Sequence, residues 1–587
     1  MFDVILFQIA TSYIETDVRG SEPQLGLYYI AEYAKKHGYK IGVKKYSSNQ
    51  PILSDIIPLI EEQKCKIIGF YVDSENIWIL RRLIIYIKKK IPNLLVLVGG
   101  PQVTGDPELC LKRIPLVDFA IVGEGERPVV EILDGLSKHQ PNLHTIKGLA
   151  YNTKDGAFHF NGSQEPVKDL EIYPFPRRKE YSLDKDIVFD QILTGRGCIG
   201  KCAFCFEGNK KENKLRLRNV NSVIEEVDYI ISNLGERKCF AFLDDTFILN
   251  SDRTTEICKH LIEKYNGSVA WFCEARVDIL QKNIHLLPLL KQAGLVRIQL
   301  GGESGNQNVL NAYNKNMQTK ELLKCVRNIY EAGIPSIYVN FIIGGAFESL
   351  ETFNDTLNFA KEIIDTAPGC VEVGASLFTP YVGTPMRNHP EKYGIKLIDK
   401  DLLRGCDGNV VSTVTEDLNE QKILQLKLIF EQEISEKMDE LVKTLDNNEL
   451  LVHYILARDY GMTTQYYTKS NRVEAYKHYF TSVCNWGFDS IDTLSYDELS
   501  LSIPFRTIQL ISDGEEYYRI VGNQYVKNSD LENAVFLLSS GKICYYEIVQ
   551  ILSRSDRFKD VIELEKRIID VYRNFDKERL VVWKKSL

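Results

Sequence analysis

The strongest constraint on the fold is an order that repeats: short apolar runs, each followed by a stretch with helical spacing. In the first 145 residues the strand-like runs are 3–9, 67–71, 94–98 and 119–122. Helical spacing covers 25–37 and 77–90, and a further helix follows the last run. Repeated strand-then-helix order predicts a parallel, doubly wound sheet. In such sheets ligands sit beyond the carboxyl ends of the strands. Gly99-Gly100-Pro101 and Gly123-Glu124-Gly125-Glu126 fall at such ends, where glycine permits close backbone approach and positive φ. Taken alone, each is equally well a tight turn.

From residue 187 the alternation returns in longer form. Strand-like runs at 189–193, 240–243, 269–272, 296–300, 337–343 and 371–378 enclose helical stretches such as 222–234, 286–293, 320–332 and 350–364. Six such units predict a partial barrel with its active mouth at the C-terminal strand ends. The fold class expected is α/β. A Rossmann-like doubly wound sheet spans 1–145, followed by a linker over 146–185 with a short hairpin at 152–162. A (β/α)6 partial TIM barrel spans 186–400, and a helical region covers 401–505. The last of these opens on an amphipathic helix, since Ile423, Leu426, Phe430, Ile434, Met438, Leu441 and Leu445 step by three and four. A small α+β tail, 506–587, has a β-like stretch at 517–526 and helices near 530–539, 545–553 and 561–574.

A chain of 587 residues is too long for one core, in keeping with several domains. A formal charge of −8 gives no global reason to bind nucleic acid or an anionic membrane. The opening residues lack the basic region of a secretory leader, and no apolar run reaches the ~20 residues of a membrane span. A reducing, cytoplasmic setting is expected.

Three of the 13 cysteines crowd into eight residues, as Cys198-x3-Cys202-x2-Cys205, on a glycine-framed segment after the first barrel strand. A [4Fe–4S] cluster normally takes four cysteines. Held by three, it keeps one iron open to a small molecule. The competing reading is a zinc knuckle, but structural zinc is nearly always held by four protein ligands. No second Cys or His pair stands nearby. The remaining cysteines are expected to be buried as small apolar residues.

With aromatic Phe204 before the last Cys and Thr194-Gly195-Arg196-Gly197 leading in, the segment resembles the signature of radical S-adenosylmethionine (SAM) enzymes. Ile199 stands where many members carry proline. The resemblance implies that Cys198, Cys202 and Cys205 hold a [4Fe–4S] cluster. SAM would chelate its open iron and be cleaved to a 5′-deoxyadenosyl radical, the electron coming from an external donor such as flavodoxin or ferredoxin. Leu243-Asp244-Asp245-Thr246 ends the second barrel strand, where the family binds the SAM amino group. Leu300-Gly301-Gly302-Glu303 ends the fourth and resembles the ribose-contacting segment, with Glu303 as hydroxyl acceptor. Arg276, ending the third strand, is a candidate partner of the SAM carboxylate. Asp244, Asp245 and Arg276 are equally readable as surface ion pairs or helix caps.

The N-terminal region resembles the cobalamin-binding domain of cobalamin-dependent radical SAM enzymes. Its landmarks are Pro23-Gln24-Leu25-Gly26-Leu27, Val98-Gly99-Gly100-Pro101-Gln102-Val103-Thr104 and Val122-Gly123-Glu124. Gly99, Gly100, Pro101, Thr104, Gly123 and Glu124 are the implied cobalamin contacts. The Asp-x-His-x-x-Gly signature is missing: loop 10–20 has no histidine, and the first His is His37, inside a helix. Cobalamin would therefore lack a His ligand from that loop. The alternative is a domain that has lost cobalamin and serves as scaffold.

The tail resembles a winged-helix unit like those that recognise peptide leaders by adding a strand to a sheet edge; a domain that packs on the barrel is the alternative. Together these resemblances imply a cobalamin-dependent methyltransferase acting on an unactivated carbon of a peptide or other small molecule. A radical ring closure or rearrangement without methyl transfer stays open. So does a non-enzymatic iron–sulfur sensor or peptide-binding protein. No catalytic acid or base is named by the sequence.

Overall fold

The computed structural model describes residues 2–10, 23–46, 52–137, 142–153, 155–184, 190–207, 215–234, 238–398, 410–470, 490–506, 511–512, 517–521, 524–539, 543–555, 557–558, 563–578 and 580–584. The chain divides into two compact units, Met1–Leu441 with Asp459–Gln465, and Val442–Arg458 with Tyr466–Leu587.

The first unit holds two large sheets. In the N-terminal sheet, β1 (Val4–Ile9), β2 (Ile41–Tyr46), β3 (Ile67–Tyr71), β4 (Leu95–Gly99) and β5 (Phe119–Ile121) are parallel, in the order β2-β1-β3-β4-β5. The strands are buried nearly throughout, as parallel strands covered on both faces must be. Two antiparallel strands, β6 (Leu149–Asn152) and β7 (Phe158–Phe160), extend the same sheet beyond β5. The hairpin expected near 152–162 is thus an edge of this sheet.

Strand β2 escaped the sequence reading. Its Ile-Gly-Val-Lys-Lys-Tyr run carries two lysines, yet Lys45 is buried and Lys44 is paired with Asp184. A partner 140 residues away neutralises what looks like a solvent-facing segment. The helix Ile52–Gln63 was hidden by its internal Pro58.

The second sheet begins at β8 (Gln191–Ile192). A short pair, β9 (Gly195–Arg196) and β10 (Arg216–Leu217), brackets the cysteine segment. The sheet continues through β11 (Cys239–Phe242), β12 (Ala270–Ala275), β13 (Leu295–Glu303), β14 (Ser336–Ile343) and β15 (Val371–Leu377). All six principal strands are parallel and lie in chain order, β8-β11-β12-β13-β14-β15. Helices Val220–Ile231, Ser251–Tyr265, Leu287–Gln292, Thr319–Glu331 and Leu350–Thr366 fill the crossovers. This is the open, six-unit barrel the sequence predicts. Its strand ends place the cysteine loop, the acidic pair, Arg276 and Glu303 on one rim.

The two sheets are joined within this unit. Val382, in the loop after β15, belongs to the apolar core of the N-terminal sheet with Ile5, Phe7, Ile68 and Val98. The contact needs glycine at 105, where a Cβ would lie 2.4 Å from Val382 Cγ2. Behind the rim, Glu226 is wholly buried between Arg178 at 2.6 Å and Arg218. The long helix Glu420–Thr444 is present as expected, and buries Ile423, Leu426, Phe430, Ile434 and Met438.

The second unit contains a three-stranded antiparallel sheet (Ile511–Ser512, Tyr517–Val521, Gln524–Lys527) and helices Asp530–Leu538, Tyr545–Arg554 and Leu564–Lys577. Its core includes Val535, Phe536, Ile548, Ile568, Tyr572, Phe575 and Trp583. Among the described residues no helix is long and apolar enough to cross a membrane.

Candidate active site

Cys198, Cys202 and Cys205 line one cavity of about 230 Å³ at the barrel rim. Asp245, Glu274, Arg276, Gln299, Gly301, Glu303, Lys315 and Asn340 complete its polar wall, with Phe204 beside the cysteines. Among the described residues no three His, Cys, Asp or Glu side chains converge on a single-ion site; the cysteines surround a space instead. Backbone N–H of Gly200 donates to Cys198 Sγ at 3.4 Å, and Arg276 Nη1 donates to Cys202 Sγ at 3.4 Å. Burial pushes the Cys198 thiol up, so these donors matter to any thiolate form. Three sulfurs around one space, with N–H donors aimed at two of them, fit a cluster held by three thiolates.

The loop is held from behind. Ala203 N–H donates to the Tyr313 carbonyl at 2.8 Å, and Met386 N–H to the Ala203 carbonyl at 3.2 Å. The Phe204 ring meets Tyr313 edge-on, with centroids 5.2 Å apart.

The acidic pair does not act as a pair. Asp245 lines the cavity, but Asp244 is turned away and buried. Its carboxylate accepts from Thr194 N–H at 3.0 and 3.1 Å and from Thr194 Oγ1 at 2.8 Å. Arg253 closes the knot, donating to Thr194 Oγ1 at 2.9 Å and to its carbonyl at 2.8 Å. Burial raises the Asp244 pKa against these hydrogen bonds. The Asp244 carboxylate, expected to meet the SAM amino group, is engaged by Thr194 at the lead-in to the cysteine loop.

Glu303 faces the cavity with a positive φ of 60°, a conformation uncommon outside glycine. Its Oε1 lies 2.6 Å from Lys315 Nζ. Lys315 was not picked out from the sequence, because it stands alone in a loop 12 residues beyond its partner. Burial opposes its charge, but Glu303 and Cys202 hold its pKa above the ordinary value. Gly301 makes room for the pair: a Cβ there would lie 2.2 Å from Glu303 Oε1 and 2.5 Å from Lys315 Nζ.

The residues expected to meet cobalamin separate into two kinds. At Gly99 and Gly123, by the carboxyl ends of β4 and β5, there is local room: among the described residues an added Cβ would meet nothing nearer than 3.8 and 3.6 Å. At Gly26 it would meet nothing within 4 Å. Local room at these three glycines suits the close approach of a broad, flat macrocycle. Gly100 is a turn requirement instead, with φ 115° and a Cβ that would fall 2.6 Å from the Val72 carbonyl oxygen. Pro101 opens the short helix Pro101–Gly105, and Thr104 Oγ1 accepts from Gly123 N–H at 3.0 Å. Glu124 is bound to Arg216 at 2.7 Å and Arg196 at 3.1 Å, so its carboxylate ties the loop after β5 to the β9–β10 pair. Gln164, also missed, donates to the carbonyls of Val122 and Glu124 at 3.0 and 2.8 Å and fixes that loop. Loop 10–20, which has no histidine, lies mostly outside the described residues. His37 caps a helix, with Nδ1 2.9 Å from the Tyr33 carbonyl.

Two family models match this chain. One, the Radical SAM superfamily, covers residues 192–360; the other, the B12 binding domain, covers residues 13–133. The chain therefore carries a segment of the radical SAM superfamily and a segment matching the B12 binding domain. Its radical SAM segment holds the cysteine loop and the rim from β8 to β14. The chain is 27% identical to an uncharacterised methyltransferase of Pyrococcus horikoshii, over 64% of this chain and 79% of that protein. It is 24% identical to the anaerobic magnesium-protoporphyrin IX monomethyl ester cyclase of Rubrivivax gelatinosus, over 59% of this chain but only 63% of the cyclase. In fold it is similar to the radical SAM methyltransferase TsrM of Kitasatospora setae, solved with cobalamin and a [4Fe–4S] cluster bound. The TM-score is 0.61 at 14% identity, covering 82% of this chain and all of that one.

Proposed function

We propose that this radical SAM enzyme is a cobalamin-dependent methyltransferase acting on an unactivated carbon of a peptide or other small molecule. The observation that carries the reading is one rim cavity that gathers the three cysteines, two acids suited to SAM, and two cations, in a chain whose N-terminal sheet has local room at Gly26, Gly99 and Gly123 among the described residues. When bound, the cluster, SAM and cobalamin supply a 5′-deoxyadenosyl radical and a transferable methyl group.

The chain's own residues hold and orient. Cys198, Cys202 and Cys205 are the cluster ligands, with Phe204 closing the side of the loop. Asp245 accepts from the SAM ammonium, and Glu303 accepts from a ribose hydroxyl. The Lys315 ammonium, hydrogen-bonded to Glu303 Oε1, holds that carboxylate aimed. Asp244, through Thr194, sets the entry of the cysteine loop. Gly99 and Gly123 admit the corrin at the sheet edge, and Thr104 fixes the Gly123 turn. Reduction requires an external one-electron donor such as flavodoxin or ferredoxin.

The test is anaerobic reconstitution with iron, sulfide and hydroxocobalamin, then SAM and a strong reductant. Expected products are 5′-deoxyadenosine and S-adenosylhomocysteine, with 5′-deoxyadenosine lost in Cys202→Ala. SAM turnover that never yields S-adenosylhomocysteine would sink the methyl-transfer reading. It would favour ring closure or rearrangement, the outcome the cyclase relative makes specific.

A further inference from the structure

Arg276 has an unusual set of partners for a residue expected to clamp a carboxylate. Its Nε and Nη2 donate to Asp278 Oδ1 and Oδ2, both at 3.0 Å. One face of the guanidinium fork is therefore already filled by a carboxylate two residues away. Nη1, on the other side, points at the cysteine loop and lies 3.4 Å from Cys202 Sγ. The loop is shaped to receive it: a Cβ at Gly200 would lie 2.2 Å from Nη1. Only glycine at that position lets the guanidinium press against the segment between Cys198 and Cys202. The side chain is 11% exposed, so the hydrogen bond to sulfur competes little with water.

The charge is secure. A guanidinium stays protonated in proteins, and both oxygens of Asp278 pair with this one. A planar, permanently charged donor fixed by two bonds is a rigid device. Lys315, the other cation of the cavity wall, is bound to Glu303.

We infer that Arg276 is a tuning residue for the cluster, donating an N–H···S hydrogen bond to the Cys202 ligand, and is not the clamp for the SAM carboxylate. The inference rests on Cys202 being a cluster ligand. Reduction adds one negative charge to the cluster and its thiolates. A hydrogen bond and a positive charge at a ligand sulfur favour the more negative form, which raises the reduction potential. The fixed fork keeps the SAM-free cluster within reach of a biological one-electron donor.

The test compares wild type, Arg276→Gln and Arg276→Lys, reconstituted anaerobically and studied without SAM. Redox titration followed by electron paramagnetic resonance reads the cluster potential, and the change in that signal on adding SAM reads SAM affinity. Arg276→Gln is expected to hold about one-tenth as much reduced cluster relative to oxidised at the same ambient potential. That ratio corresponds to about 59 mV more negative for one electron. Arg276→Lys, which keeps the charge but not the fork, is expected to fall between the two. SAM affinity should stay within about threefold of wild type. Unmoved potentials overturn the inference, whatever happens to SAM; with SAM affinity reduced tenfold or more, they assign Arg276 to the carboxylate. If Arg276→Gln fails to load a cluster, the lysine variant decides alone. A wild type without a [4Fe–4S] cluster by Mössbauer spectroscopy overturns the parent reading first. A loaded wild type with unmoved variants overturns this inference alone.

Discussion

The Glu303–Lys315 pair allows a quantitative test of how the cavity wall is held. The charged atoms are 2.6 Å apart and each side chain is 9% exposed. At that separation and an effective dielectric of about 20, their gross attraction is about 6 kcal/mol. Desolvation consumes much of it, so the net value is far smaller. Removing one partner leaves the other charge buried and unmatched, at a cost of about 3 kcal/mol. Glu303→Gln and Lys315→Met should each show that loss. The double variant strands no charge, so it should cost less than either single, and the two single losses should exceed the double loss by at least about 3 kcal/mol. Hydrogen exchange of the peptide spanning β13 is the assay, since local opening energies stay meaningful in a chain with more than one cooperative unit. Losses that add to within about 0.5 kcal/mol would refute the reasoning. They would mean that the two side chains are solvated separately and that Lys315 does not position Glu303.

Other consequences can be checked in the same way. Burial pushes Glu348 from 4.5 up to about 7, while the N–H groups of Gly344 and Gly345 pull the other way. The folded state then holds a proton that the unfolded state has released. Stability should fall as pH rises between 4.5 and about 7, by about 3 kcal/mol at most. Glu348→Gln should flatten that window in urea titrations at pH 5 and 7.5; a variant with the wild-type slope argues against Glu348 as its source. Gly105→Ala should cost about 1–3 kcal/mol, because its Cβ meets the Val382 backbone as well as its side chain. Faster hydrogen exchange over residues 378–385 reports that loss, and Gly26→Ala, with open space around it, is the matched control.

Much of this architecture was legible because parallel strands carry their own signature. Barrel runs 240–243 and 269–272 and most N-terminal runs are apolar from end to end, the other barrel runs carry isolated polar residues such as Arg297, Asn340 and Glu372, and the rim motifs lie at the strand ends. The omissions share one physical cause, which is compensation from far along the chain. Strand β2 reads as solvent-facing until Asp184 covers Lys44. Gln164 and Lys315 are single polar residues in loops, and only the folded chain shows what they hold. Arg253 lies inside an ordinary helix, and its role depends on Thr194, 59 residues earlier.

The acidic pair shows why adjacency in sequence misleads at a strand end. Successive residues of extended chain project to opposite sides. Asp244 and Asp245 stand just past Leu243 at the end of β11, where the chain leaves the strand, and only Asp245 lines the cavity. The other must find partners behind the rim or remain a buried, unmatched charge. Thr194 supplies those partners with one N–H and one hydroxyl, and Arg253 supplies the compensating positive charge. The arrangement predicts unequal variants. Asp245→Asn should weaken SAM binding and leave cluster content intact. Asp244→Asn presents an amide N–H₂ to a Thr194 hydroxyl already engaged by Arg253, and should lower the iron bound per chain. Equal loss of iron in both variants, measured on anaerobically reconstituted protein, would show that the two aspartates share one role after all.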